Sequence, residues 1–436
     1  MTQSSFRFAH LADLHLGSWR DNTLRNLSTE VFNLAIQRCI KRKYDFVLFA
    51  GDIFNTSLPA IDIVNHVAAK LQELKSANIP LYVIPGSHDF SPTGRSMIDV
   101  LESAGLLINV CKGSVNLETK QLELKQTIDL KTGAKITGIL GRRGMLDRTY
   151  YENLARSKLE ESEGYKIFLF HTTLTELKPK HLEMMESHAA SFLPKNQNYY
   201  AGGHIHHKSL INLENYGPMT YTGALFPNNF AELEKYGHGG YYEITVTKKE
   251  TENQFNSQIQ WLPLKVKDHL ALIINCTGKS VEQIHNEFRS QLESSDIKDK
   301  ILTLRIHGKI GDLQIKDLNT SNMIVEAKNN GAHLLLVNTN KIERNEFTAT
   351  SLALDVSSEQ MELALIKEHL SKRDNIDSEK ELKLIQDLMV NLDTQKTEGE
   401  KSYDFSTRIL DTCKTLLETK QVSEFKKEKE EKEKDE

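Results

Sequence analysis

The sequence predicts an α/β protein: a two-layered β-sandwich flanked by helices, then a small α/β module, then a helical C-terminal segment. Three observations predict it. Strand-like and helix-like segments alternate up to residue 105, short glycine-punctuated runs follow to residue 260, and helix formers dominate from Ser357 onward. The 436 residues exceed what one hydrophobic core usually supports, so two or three domains are expected.

Phe6–Ala12 reads as a buried strand, and Phe46–Ala50 and Leu81–Ile84 repeat the pattern. Between them, Leu24–Ile40 places Leu27, Val31, Leu34, Ala35 and Ile36 at helical spacing. Ile61–Leu74 does the same, with Pro59 at the helix start. This alternation argues for parallel strands with helices packed outside. Beyond residue 105, Gly113, Asn116, Gly133 and Gly138 break the chain into short runs that suggest antiparallel strands. Lys166–Phe170, Tyr199–Ala201, Met219–Thr222 and Gly240–Val246 continue the strand-rich pattern. A boundary falls near Trp261–Lys267. After it, His269–Asn275, Ile301–Ile306 and His333–Val337 read as strands and Val281–Leu292 as a helix. Amphipathic stretches at Glu359–Leu370 and Glu379–Leu392, with a weaker one at Phe405–Leu417, precede eleven consecutive charged residues, Lys426–Glu436, which cannot build a core. The expected domains are 1–265, 266–350 and 351–420, with a charged disordered tail at 421–436.

The net charge of −5 places the acidic excess in residues 261–436. A chain that held nucleic acid by bulk positive charge would be more basic, so any such contact must use a local patch or bound metal ions. No apolar run approaches the roughly 20 residues needed to span a bilayer. Met1–Phe8 has no secretory pattern. Cys39, Cys111, Cys276 and Cys413 are far apart and form no C-x-x-C, which argues against disulfides and thiolate zinc and fits a reducing cytoplasm.

The strand ends carry the chemistry. Asp13 and His15 follow the first strand, Asp52 the second, and Ser87, His88 and Asp89 the third. His171 follows Lys166–Phe170, and His204 and His206 follow Tyr199–Ala201. Side chains beyond the carboxyl ends of α/β strands converge on one crevice. Mixed carboxylate and imidazole donors suit Mn²⁺, Fe²⁺ or Zn²⁺. They are too many for one tetrahedral ion, and a carboxylate such as Asp52 can bridge two. Such a pair suits in-line phosphoryl displacement.

D-x-H, G-D, G-x-H-D, H and G-H-x-H, in this order, resemble the calcineurin-like metallophosphoesterases. Phe8–Gly17 and Ala50–Asn55 are similar to the SbcD-type DNA double-strand-break repair nucleases, as are Tyr221–Phe226 and Gly239–Glu243. The resemblance implies the metallophosphoesterase fold with a capping module. It implies one ion held by Asp13, His15, Asp52 and His206, and another by Asp52, His171 and His204. The family's Asn before the motif histidine is here Ser87, a weaker ligand. His88 would assist the leaving-group oxygen and Asp89 would orient its imidazole. Asn55 stands where the nuclease branch sometimes has histidine, and could position a DNA strand. The resemblance further implies Mn²⁺ as the activating ion, DNA ends as substrate, homodimerisation, and an SMC-like ABC ATPase of the SbcC type docked on the C-terminal helices, in a prokaryotic cytoplasm at the nucleoid. Two rivals share the motifs: a phosphoesterase for small molecules or phosphoproteins, and a weakly catalytic scaffold of the repair complex.

The remaining candidates have plainer readings. His10, inside the first strand, reads as a hydrogen-bonded core residue. His66, His181, His188 and His238 read as surface or helix residues, and His207 as facing solvent. Arg142 and Arg143, between Gly141 and Gly144, contact phosphate if their loop lies at the cleft. Arg20, Arg25 and Lys208 are weaker candidates of the same kind.

Overall fold

The computed structural model describes residues 5–91, 96–248, 254–311, 314–343, 378–394, 396 and 404–417. The chain divides into two compact units, Met1–Asn345 and Glu346–Glu436. In the first unit the strands are, in chain order, β1 (Ser5–Leu11), β2 (Phe46–Ala50), β3 (Leu81–Ile84), β4 (Ile108–Asn109), β5 (Gly113–Val115) and β6 (Leu122–Leu124). Next come β7 (Thr127–Ile128), β8 (Lys135–Ile139), β9 (Lys166–His171), β10 (Tyr199–Gly203), β11 (Ser209–Ile211) and β12 (Met219–Tyr221). The last five are β13 (Gly239–Lys248), β14 (Phe255–Leu264), β15 (His269–Asn275), β16 (Ile301–Lys309) and β17 (Leu334–Glu343).

Two six-stranded sheets form the core, ordered β14-β13-β1-β2-β3-β4 and β11-β12-β10-β9-β8-β7. As the sequence predicts, β1, β2 and β3 are parallel; β4, which lies where antiparallel strands are expected, also joins them in parallel. The second sheet differs from expectation. Its centre, β8-β9-β10-β12, is also parallel, and antiparallel pairing is confined to its edges and to the short β5/β6 hairpin. The reason lies in burial on both faces: Lys166–His171 and Tyr199–Gly203 are buried throughout, and near-continuous apolar runs mark parallel strands covered on both sides.

The period of two along each strand sorts side chains between layers. On β2, Phe46 and Leu48 enter the layer between the sheets, while Val47 and Phe49 face the outer helices. Phe8 stacks on Phe46 with ring centroids 4.7 Å apart and meets Tyr199 of the facing sheet edge-on at 5.5 Å. Each such ring contributes about 1.5–3 kcal/mol by burial. The helix Asn22–Arg42, capped by the Asp21 side chain on the Leu24 amide, and the helix Ile61–Ser76 cover the outer face with Leu24, Leu27, Val31, Phe32, Val67 and Leu71.

His10 is buried in the inter-sheet layer, as its strand position predicts. Its Nδ1 lies 2.9 Å from the Tyr199 hydroxyl and 3.2 Å from that of Thr220. Burial pushes its imidazole down to about 3. The unfolded chain takes up this proton below about pH 6.5 and the folded protein does not, so the contribution is intact above that pH and is lost as pH falls toward the folded value. One proton corresponds to a slope of about 1.4 kcal/mol per pH unit. His10→Gln is expected to flatten the acid limb by that one-proton slope, read from urea midpoints between about pH 4 and 6.

β15, β16 and β17 form a separate parallel three-stranded sheet. The helices Val281–Ser294 and Thr320–Asn329 complete its core through Ile284, Phe288, Leu292, Met323 and Ala327. Arg305 fastens this module to the helix Phe230–Tyr236: its Nε and Nη2 donate to the Glu234 carboxylate at 2.8 and 2.6 Å.

The second unit contains the helix Ser378–Leu392 and a helix over residues 404–417, where two of the three predicted amphipathic stretches lie. The third, Glu359–Leu370, and the charged tail fall outside the described residues. Among the described residues no helix is long and apolar enough to cross a membrane, and the four cysteines are free.

Candidate metal centre

The loops that leave β1, β2, β3, β9 and β10 meet at one end of the two sheets. Backbone bonds hold them in register: the amides of Asp13, His15 and Leu16 donate to the carbonyls of Gly51, Asp52 and Ile53. The turns are sharp enough that Asp13, His15, Asp52 and His204 adopt φ values of 51°, 42°, 52° and 88°, a left-handed region costing a side-chain-bearing residue roughly 1–2 kcal/mol.

Donor atoms converge in three overlapping groups: Asp13, His15 and His206; His15, Asp52 and His88; and Asp13, Asp52 and His171. Asp52 Oδ2 lies 3.5 Å from His15 Nε2 and 3.2 Å from His171 Nε2. His204 stands at the edge of the cluster, its ring centroid 5.3 Å from that of His171. Its amide donates to both oxygens of Asp13, at 2.9 and 3.1 Å.

Hydrogen bonds on the far ring nitrogens fix the tautomers. His171 Nδ1 donates to the Ala50 carbonyl at 2.8 Å, and His206 Nδ1 donates to Glu232 at 2.9 Å. In each ring Nε2 is therefore the nitrogen turned toward the carboxylates. His15 Nε2 and His206 Nε2 are only 3.1 Å apart. Two lone pairs cannot face each other so closely unless a proton or a cation lies between them. The donors are oxygen and imidazole nitrogen, buried and converging, which is what a divalent first-row ion requires. The residues fit such ions.

The electrostatics agree. Burial disfavours charge on Asp52, yet His171 and His15 hold its carboxyl well below the usual range. Burial alone would lower His171, but Asp52 and Asp13 push it up to about 10. Burial raises Asp13 to about 6 and lowers His204 to about 4. Burial drives His15 well down, whereas at His206 the Glu232 bond and the Asp13 charge overcome burial and raise it.

Two glycines make this packing possible. A Cβ on Gly51, which has φ +91°, would lie 2.2 Å from His171 Nδ1, and one on Gly86 would lie 2.2 Å from Asp52 Oδ1. Gly51→Ala is expected to destabilise the protein by about 1–3 kcal/mol through strain and overpacking. It should also displace His171, so that Mn²⁺ retained after dialysis falls alongside the melting temperature.

The other predicted residues are placed as follows. Ser87 Oγ donates to Asp52 Oδ2 at 3.4 Å, so it supports the carboxylate. The His88 amide donates to Asp52 Oδ1 at 2.7 Å, and its Nδ1 donates to the Asn55 carbonyl at 2.7 Å. Asp89 does not orient His88, contrary to expectation. Its carboxylate accepts from the amides of Ile53, Phe54 and Gly86 at 3.2, 3.1 and 3.0 Å, which ties the β2 loop to the β3 loop. The Asn55 backbone orients His88 instead. Burial raises Asp89 to about 7. Arg142 is engaged by neighbours, its guanidinium 4.5 Å from the Phe90 ring centroid and 3.3 Å from the Tyr150 hydroxyl. Arg143 is exposed, with Nη2 3.3 Å from His88 Nδ1. That nitrogen already gives its proton to Asn55, so this is a close approach rather than a second bond. Arg25 donates to the Trp19 and Arg20 carbonyls.

Sequence reasoning missed Glu232. It sits at the third position of the helix Phe230–Tyr236, where the Asn229-x-x-Glu232 pattern signals a helix start and gives no hint of His206. It also misplaced His188, which is buried, lies against Tyr151 with centroids 5.0 Å apart and ring planes tilted by 37°, and is 4.0 Å from buried Asp147.

Residues 6–208 match the family model of the calcineurin-like phosphoesterases, and the chain carries a metallophosphoesterase domain of that family. Three archaeal relatives narrow the comparison, each named DNA double-strand break repair protein Mre11. The chain is 28% identical to the one from Methanococcus maripaludis over 54% of this chain and 61% of that protein. It is 24% identical to the one from Methanocaldococcus jannaschii over 74% of this chain and 90% of that protein. It is 25% identical to the one from Sulfurisphaera tokodaii over 90% of this chain and 95% of that protein.

Proposed function

We propose that this protein is a metal-dependent nuclease that hydrolyses DNA phosphodiester bonds during double-strand-break repair. The observation that carries the reading is the shared carboxylate of Asp52 between two imidazole groups, in a domain whose relatives are named for that repair. Asp13, His15, Asp52 and His206 would hold one ion, and Asp52, His171 and His204 the other, with Mn²⁺ the expected metal. Bound divalent ions supply Lewis-acid neutralisation of the charge that develops on the phosphoryl oxygens.

The chain's own groups do the rest. Glu232 and the Ala50 carbonyl keep Nε2 of His206 and His171 available. Asp89 fixes the distance between the β2 and β3 loops. His88, anchored through Nδ1 to Asn55, presents Nε2 to the leaving oxygen; as the imidazolium it gives up the Nε2 proton to that oxygen and is left as the neutral ring with its Nδ1 proton still on Asn55. Exposed Arg143 beside it meets the adjacent phosphate. Action as a homodimer, and docking of an SMC-like ABC ATPase on the C-terminal helices, belong to the same reading. In its support, the helix Ser378–Leu392 carries an apolar stripe of Leu382, Ile385 and Leu388.

The test compares Mn²⁺-dependent cleavage of linear DNA with turnover of a small phosphodiester, alongside metal content. Cleavage of DNA supports the nuclease. Turnover of the small ester alone supports a small-molecule phosphoesterase, and one ion or none with no turnover supports a scaffold.

A further inference from the structure

Beside the metal centre lies a cavity of about 160 Å³ that none of the roles above uses. His206 lines it on the centre's side, and Trp261, Tyr236, His238 and Lys208 form its other walls. The geometry points to a base-binding pocket: it takes the nucleobase of a nucleotide that has left the helical stack, while that nucleotide's phosphate lies at the metal centre. The inference rests on the phosphodiesterase reading and adds to it how the substrate strand is held.

The Trp261 ring is set for stacking. Its Nε1 donates to the Thr222 carbonyl at 3.0 Å, which fixes the ring plane. Gly240 on the paired strand β13 leaves it room, since a Cβ there would lie 2.5 Å from Trp261 Cζ2. The His238 ring lies against it at 6.0 Å, tilted by 47°. Lys208 Nζ rests 4.0 Å from the ring centroid on a solvent-exposed side chain. Base–aromatic stacking is worth more than a solvent-exposed cation–π contact. An arriving base therefore displaces the ammonium, which keeps its value by pairing with the nucleotide's phosphate. A base inside a duplex has both faces covered, so entry requires one that has left the stack. Stacking walls read no base edge, so the pocket tolerates all four bases.

His206 makes the pocket continuous with the centre. One edge of its ring faces Asp13 and His15, and the other is held by Glu232, which also lines the cavity. A nucleotide bridging the two spaces has its phosphate at the ions and its ring on Trp261.

The chain has two tryptophans, so full-length Trp19→Phe leaves Trp261 as the sole indole reporter. In chelator, where no hydrolysis occurs, dAMP and short single-stranded oligonucleotides are expected to quench its fluorescence. Ribose 5-phosphate, a matched duplex and inorganic phosphate should be at least about tenfold weaker, and Lys208→Ala should weaken dAMP several-fold. Trp19 donates to the Pro227 carbonyl. If Trp19→Phe fails to fold, the difference between wild type and Trp261→Leu gives the same signal. Equal response to dAMP and ribose 5-phosphate overturns the pocket. DNA cleavage without quenching also overturns it and leaves the nuclease reading standing, whereas quenching without cleavage upholds the pocket and removes that reading.

Discussion

Asp52→Ala is expected to strip the protein of its divalent ions and to lower phosphodiester hydrolysis by about 10³-fold or more, the equivalent of several kcal/mol of charge stabilisation. Of the converging groups, Asp52 is the one whose single oxygen lies within 3.5 Å of imidazole nitrogens from two different loops. Its loss removes a donor from both positions at once. It also leaves His171 buried without the charge that raises it. Asp52→Asn separates the two effects: it preserves an acceptor for the His88 amide but carries no charge. Metal per chain by mass spectrometry, with circular dichroism as the check on folding, decides the matter. Two ions per chain retained in Asp52→Ala would rule out the shared-carboxylate arrangement.

His88→Ala should behave in the opposite way with respect to metal. Both ions stay, because His15 and Asp52 make their close contacts without it, while DNA hydrolysis falls by about 10²–10⁴-fold, the usual value of a positioned general acid. The leaving group provides the sharper measurement. A 3′-alkoxide needs a proton and p-nitrophenolate does not, so the deficit should shrink strongly on p-nitrophenyl phosphodiesters. An equal deficit on both substrates would mean that His88 positions the substrate instead of protonating the leaving oxygen.

The residues that make the centre were legible because each follows a strand whose apolar run is unmistakable, and parallel strands aim their carboxyl ends at one place. Supporting residues carried no such mark. Asp89 lies next to His88 in sequence, which suggested a contact with it. In the folded chain the nearest unsatisfied donors are the amides of Ile53, Phe54 and Gly86, and a buried carboxylate takes three amides before one imidazole. Glu232 reaches His206 across 26 residues, and no periodicity links them. The parallel order of the second sheet was hidden for another reason: its crossovers use turns and single-turn helices, so the strand–helix rhythm that reveals β1 to β3 is absent there.

The left-handed backbone at Asp13, His15, Asp52 and His204 has a consequence for laboratory evolution. At Asp13 and Asp52 glycine would strand the His204 and His88 amides, so a screen that rewards heat resistance alone should drift toward glycine only at His15 and His204. The survivors would be sturdier proteins with fewer groups left to coordinate. Selection for hardiness and selection for turnover pull those two codons in opposite directions.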